Sequence, residues 1–258
     1  MRLIAFHDGK LLTRDSNAPA AGERAFSSGL PELDALAPGG GFARGAVHEL
    51  LTDPADGKAL FFAMLLAAGA AGSFALTGAA PAPASPQDPA SSSGVIVWCD
   101  GGHEIYPPAL AAYGFPLDRL LLLRPGAPDP ADRDLIWAVT ESLRCQGVAA
   151  VVAPLQKLSR IAARRLQLAA EQGGGVGLLL RPAGRASAIH AAATRWLVRP
   201  RPGSPTAQRW TIQLLHGHGG RVGQTLCLEH CRETHRLHPF DPVADRQAPP
   251  KPKRLAAS

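Results

Sequence analysis

The stretch Glu49-Leu-Leu-Thr-Asp-Pro-Ala-Asp-Gly-Lys-Ala59 stands where a phosphate-binding loop belongs, between a strand-like apolar run, residues 46–51, and a helix-like run, residues 59–69. A working loop reads G-x-x-x-x-G-K-[ST]. Its glycines let backbone N–H groups curl round phosphate, its lysine neutralises charge and its hydroxyl holds Mg²⁺. Here Thr52 takes the place of the first glycine and Ala59 that of the hydroxyl, while Gly57 and Lys58 are kept. A Gly-Lys pair alone is a weak signal, so the flanking segments decide whether the loop is a relic or an accident.

Upstream lie Gly29-Leu-Pro-Glu-Leu-Asp34 and the glycine-rich Pro38-Gly-Gly-Gly-Phe-Ala-Arg-Gly45; downstream, Val95-Ile-Val-Trp-Cys-Asp100 reads as the next strand and runs into Gly101-Gly-His-Glu-Ile-Tyr106. This order resembles the opening of a RecA-type core, with its G-hydrophobic-x-x-L-D signature, glycine-rich turn, loop strand and strand-end aspartate. In that frame a catalytic glutamate follows the aspartate by two residues, where this chain has Gly102. Ala149-Ala-Val-Val-Ala-Pro154 resembles the Walker B strand with Ala153 in place of the metal-organising aspartate, and residues 176–182 carry no glutamine to sense a γ-phosphate. Hydrolysis needs Mg²⁺ at the β/γ oxygens and a group that orients water. Ala59, Gly102, Ala153 and the missing glutamine remove these together.

A RecA-like frame with lost ATPase residues resembles the ImuA-type accessory proteins of bacterial mutagenic translesion synthesis, over residues 26–228. The fold class implied is α/β: a RecA-like, mostly parallel sheet with helices on both faces, closed by an antiparallel C-terminal hairpin over residues 210–228, where apolar alternation flanks a glycine turn.

At 258 residues and 46% hydrophobic content the chain suits one α/β domain with an ample core. Residues 1–25 read as a loose arm, 26–238 as the core, 78–94 as a Pro/Ala/Ser insertion too poor in apolar surface to order itself, and 239–258 as a disordered basic tail. No uncharged apolar stretch of about 18 residues and no signal-peptide core is present, so a cytoplasmic protein without membrane attachment is expected. Four cysteines, Cys99, Cys145, Cys227 and Cys231, suit a reducing compartment. The formal net charge of +6 suits contact with nucleic acid or an acidic protein, and equally a merely soluble basic surface.

Two helices are readable in detail. One follows residues 120–123, with Asp129 as cap, Pro130 in the first turn, Asp132 beside the dipole, Ile136, Val139 and Leu143 as an apolar stripe, and Gly147 as the stop. The other spans residues 155–172, with Leu158, Ile161, Ala162, Leu166 and Ala169 inward and Lys157, Arg160, Arg164 and Arg165 outward. That basic face suits phosphate or an acidic partner; a solvated face is the common alternative.

Cys227, Cys231, His235 and His238 have no common zinc spacing, and no metal site is expected. RecA-type recombinases carry two mobile DNA loops, but here Pro154 runs almost directly into a helix and residues 181–186 form a tight connection. DNA contact is therefore expected to be weak and sequence-independent. Candidate partner or DNA contacts are Arg195, Arg199, Arg201 and Arg209, with Lys251, Lys253 and Arg254 in the tail; Arg181 and Arg185 belong to the same basic third. Gly57 and Lys58 remain as a vestigial anion site.

The resemblance implies a pseudo-ATPase in the SOS response to DNA damage, without a required cofactor, though weak ATP binding stays open. Implied partners are an ImuB-like subunit related to Y-family polymerases and an error-prone replicative-type polymerase, with RecA as a further candidate. Two other readings stand: a divergent nucleotide-dependent repair ATPase or recombinase, and a division-inhibitor-type regulator on a RecA-like core.

Overall fold

Apolar runs without alternation mark strands covered on both faces, and the middle of this chain is built from them. The structure, a computed structural model, describes residues 25–56, 58–74, 94–124, 132–185 and 191–241. In chain order these form β1 (Ala25–Phe26), α1 (Pro31–Asp34), β2 (Phe42–Ala43), β3 (Ala46–Thr52), α2 (Leu60–Ala70), β4 (Val95–Cys99), α3 (Pro107–Ala112), β5 (Leu120–Leu123), α4 (Arg133–Arg144), β6 (Val148–Pro154), α5 (Arg160–Gly173), β7 (Val176–Pro182), β8 (Thr194–Ser204), β9 (Ala207–Gly217), β10 (Thr225–Cys231) and β11 (Arg236–Pro239).

Nine strands make one sheet in the order β11-β10-β9-β8-β3-β7-β6-β4-β5. Neighbours from β8 to β5 run parallel, and those from β8 to β11 run antiparallel. The fold is the expected mostly parallel α/β sheet, and its antiparallel part is larger than the hairpin expected, with four strands rather than two.

Alternate side chains of the parallel strands feed two cores. Val47, Val97, Val151 and Leu179 face α4 and α5. Leu50, Ile96, Val152 and Leu178 face α2. The antiparallel strands add Trp210, Ile212, Leu228 and Leu237 to the α2 side, where Phe61 stacks on Trp210 with ring centroids 4.8 Å apart. This explains why α2 is apolar all round: a helix with that pattern has to be enclosed. Phe62, Ala63, Met64, Leu65 and Leu66 are all buried.

The block from Gly29 to Asp34 is tied locally to the serines ahead of it. The Asp34 carboxylate accepts from the Ser28 N–H (2.8 Å), the Ser28 hydroxyl (2.7 Å) and the Ser27 hydroxyl, so one buried acid closes the turn ahead of α1.

Both readable helices begin later than expected. Asp129 and Pro130 lie outside the described residues. Asp132 occupies the N-cap position of α4 with left-handed backbone (φ 55°) but makes no side-chain cap there. Its carboxylate instead accepts the N–H groups of Gln156 (2.8 Å) and Lys157 (2.9 Å), which holds residues 156–157 out of the helix expected from 155. Ser159 then caps α5 through the Ala162 N–H (3.2 Å). With that start, Ala163, Leu166, Ala169 and Ala170 point inward, and Ile161, expected inward, is 76% exposed.

Residues 1–24, the insertion from 75 to 93 and the tail from 242 lie outside the described residues. Gly94 is buried beside Ala149, and Pro239 ends β11, so the core reaches slightly beyond its expected edge there. No helix among the described residues is long and apolar enough to cross a membrane.

Candidate nucleotide-side site

Open α/β sheets bind ligands at the carboxyl ends of their parallel strands. At that end of β3, the chain enters a single 3-10 turn, Pro54–Asp56. The Asp53 carboxylate accepts the Ala55 N–H (3.1 Å), and the Asp53 carbonyl accepts the Asp56 N–H (2.9 Å). A phosphate nest needs such amides turned toward an external anion. Here an acid of the loop itself takes one of them. Gly57 lies outside the described residues.

Lys58, the next residue, is turned onto Glu104: its Nζ donates to Oε1 at 2.8 Å and to Oε2 at 2.7 Å. The strand-end aspartate puts Glu104 there. Asp100 is buried, and its Oδ1 accepts the Glu104 N–H (2.7 Å) while Oδ2 lies 3.4 Å from both the Ile105 N–H and Arg124 Nη2. The turn closes through His103, whose backbone is left-handed (φ 54°). Gly102 leaves the space this arrangement needs. A Cβ at 102 would lie 3.3 Å from Glu104 Cγ and 3.4 Å from its Oε1, so a glutamate at that position would compete with Glu104 for one volume.

The positions that the motif frame assigns to the hydroxyl and the metal-organising aspartate carry no side-chain oxygen. Ala59 is buried ahead of α2, which has no side-chain cap, and Ala153 is fully buried in β6 beside Leu179. What remains is a lysine paired with an exposed carboxylate of the same chain at the mouth of the sheet.

No family model matches the chain. Protein ImuA of Caulobacter vibrioides, in each of two strains, is 32% identical to it over 235 residues, which cover 83% of this chain and 87% of that protein. The chain belongs to the ImuA family. In this ImuA-family chain the Lys58–Glu104 pair joins the loop after β3 to the turn after β4, a contact that was not visible in the motif frame.

The basic residues sort differently from the expectation. Arg195 is buried, its Nε donating to Glu49 Oε2 (2.8 Å), and Arg181 Nη1 donates to Glu49 Oε1 (2.9 Å). Both arginines are internal counter-ions across β7, β3 and β8 rather than contacts for DNA or a partner. Taking a carboxylate into a covered sheet requires such pairing. The signal available in the sequence was Glu49 itself, an acid inside an apolar strand. Arg209 is half-buried, pairs with Glu229 and lies over the Phe240 ring at 4.7 Å. Arg199 and Arg201 are exposed on β8, as expected. Lys251, Lys253 and Arg254 lie outside the described residues, as does the Arg185 side chain.

Cys227 and Cys231 sit on β10, His238 on β11 and His235 in the turn between those strands. Among the described residues no group of three or more His, Cys, Asp or Glu side chains is gathered for a metal. His230, not singled out from sequence, is buried among Phe61, Tyr113 and His235, and its pKa is lowered first by burial and then by the charge of His235.

Proposed function

We propose that this chain is a non-catalytic accessory of damage-induced mutagenic translesion DNA synthesis, a RecA-like binding platform for polymerase-complex subunits. Family membership ties it to the ImuA/ImuB mutagenesis system. The observation that carries the non-catalytic part is the Lys58 ammonium held on both oxygens of Glu104, which Asp100 fixes in place. ATP would have to break that charge-assisted pair, and Asp53 and Asp56 would set two further negative charges against its phosphates. Mg²⁺ would find methyl groups at Ala59 and Ala153, so the charge that develops on a transferring phosphoryl group would go uncompensated.

The partners on this reading are an ImuB-like subunit and an error-prone replicative-type polymerase, with RecA as a further candidate. DNA affinity is weak, salt-sensitive and indifferent to sequence. The divergent-ATPase reading is favoured only by the retention of Lys58 and Asp100, and it requires Glu104 to leave the lysine.

Two measurements test this. Mg²⁺-dependent ATP hydrolysis should be undetectable in the wild type; turnover that disappears in Lys58→Ala would overturn the reading. Pull-downs from damaged cells should return polymerase-complex subunits, and recovery of a division protein without them would favour the regulator instead.

A further inference from the structure

The helical face farthest from the C-terminal strands is not finished like a solvated surface. Between α4 and α5 runs an open groove of about 500 Å³. Ile161, 76% exposed, and Leu168, 47% exposed, lie seven residues apart along α5 and so share one stripe that lines it. Arg144 of α4 lines the other side. Trp137, 67% exposed, precedes Arg144 by seven residues and therefore sits on the same stripe of α4. Large apolar side chains exposed singly need no explanation. Two side by side in one groove, with Trp137 exposed on the α4 stripe that carries Arg144, mark an interaction surface.

The charged side chains that line this groove are all arginines, and the two carboxylates near them leave a positive excess. Arg144, Arg160, Arg164 and Arg165 all line the groove. Glu141 pairs with Arg144 (2.6 Å), and Glu171 reaches Arg164 only at 4.0 Å. Among the described residues neither Arg160 nor Arg165 has a carboxylate in ion-pair range.

We propose that the α4/α5 groove docks an acidic amphipathic helix of a partner protein, with aliphatic anchors on one face and Asp or Glu on its flanks. The proposal rests on the platform reading and supplies its contact surface. Helix-in-groove recognition places anchors at i, i+3, i+4 and i+7, and the stripe from Ile161 to Gln172 spans about 16 Å at 1.5 Å per residue, long enough for such a set.

Charge excludes the other occupants. The chain's own tail carries Lys251, Lys253 and Arg254, which the four arginines repel. The segment from 75 to 93 has Asp88 as its single acid and Leu76 as its single large apolar residue. Residues 1–24 hold Arg2, Lys10, Arg14 and Arg24 against Asp8, Asp15 and Glu23, so they bring no net negative charge. A second copy of this face would set arginine against arginine. DNA would satisfy the guanidinium groups and find a ring at Trp137, but it would leave Ile161 and Leu168, the apolar residues that line the groove itself, without an apolar partner.

The test uses the full chain and a fluorescein-labelled 18-residue helical peptide with leucines at the anchor positions and glutamates on both flanks, read by fluorescence anisotropy. Binding should weaken at least tenfold in Arg160→Glu/Arg164→Glu/Arg165→Glu and in Ile161→Asp/Leu168→Asp. It should vanish when lysines replace the peptide's glutamates, and a single-stranded oligonucleotide at equal concentration should not displace the peptide. All substituted side chains are exposed, and a circular-dichroism melt confirms folding; Trp137→Ser serves where a multiple variant melts early. Unchanged affinity in folded variants, or displacement by the oligonucleotide, overturns the proposal. The platform reading is decided separately by pull-down: if the wild type and the triple variant return a polymerase-complex subunit equally, the groove is wrong and the platform stands. If the wild type returns none while the peptide still binds at the groove, the platform fails and the groove stands.

Discussion

The His48 ring is sealed inside the molecule between Ala43 and Thr194. Nε2 lies 2.9 Å from the Ala43 carbonyl, which can only accept, so Nε2 carries the proton. Nδ1, 2.7 Å from Thr194 Oγ1, then accepts from that hydroxyl, whose oxygen in turn accepts the Trp196 Nε1–H at 2.7 Å. The hydrogen bonds thus select a neutral ring. Burial lowers its pKa from 6.5 to about 4, against the opposing effect of the Ala43 hydrogen bond. Between those values the unfolded chain binds a proton that the folded chain refuses, so stability is complete above pH 6.5 and is lost as pH falls toward 4, by on the order of 3 kcal/mol. His230 shifts in the same direction and adds to the acid-side loss. Urea midpoints at pH 7.5 and pH 4.5 should therefore separate widely in the wild type. In His48→Gln the protein should start less stable but show a smaller separation; an equal separation in both would reject His48 as a source.

Among the elements, α4 and α5 meet through a close backbone contact at their C-terminal ends. A Cβ placed on Gly173 would lie 2.0 Å from the Leu143 carbonyl oxygen, a distance no side chain tolerates. Gly173→Ala must push the helices apart, and it should cost about 1–3 kcal/mol, as overpacking does. Gly184→Ala, with nothing within 4 Å of the added atom, should stay within about 0.5 kcal/mol. Comparing the two thermal melts checks this, and equal melting temperatures would show that the contact relaxes freely. Apolar periodicity located α5 but placed Ile161 in the wrong phase. A helix's inward stripe depends on where its first turn starts, and that start is set here by Asp132 taking the amides of residues 156–157 from another part of the chain.

For the whole molecule, the antiparallel strands are structural partners of the parallel half. Trp210, Ile212, Leu214, Leu228 and Leu237 belong to the same core as α2 and β3. A chain ending at Ser204 would leave Phe61 without its stacked Trp210 and open α2 to water. It should lose its near-ultraviolet circular dichroism and its cooperative melt, whereas the full chain should unfold in one transition. A truncated chain that melts cooperatively at the full-length temperature would mean that the parallel strands fold alone.

The sequence by itself determined whatever depends on residue identity and near neighbours. Apolar runs and their breakers located β3, α2, β4, β6 and β7, and Ala59, Gly102 and Ala153 lack a coordinating or basic oxygen however the chain folds. Only the tertiary structure decided which charges meet. Glu49 pairs with arginines 132 and 146 positions away, and Lys58 meets Glu104 across 46 residues. Those pairs exist because β3 lies between β7 and β8 and because the turn after β4 folds back over the start of α2. Composition counts Arg195 and Arg199 alike. Strand order, which brings a buried carboxylate to one and leaves the other in solvent, separates them, because the strands are held together by contacts between residues far apart in the chain.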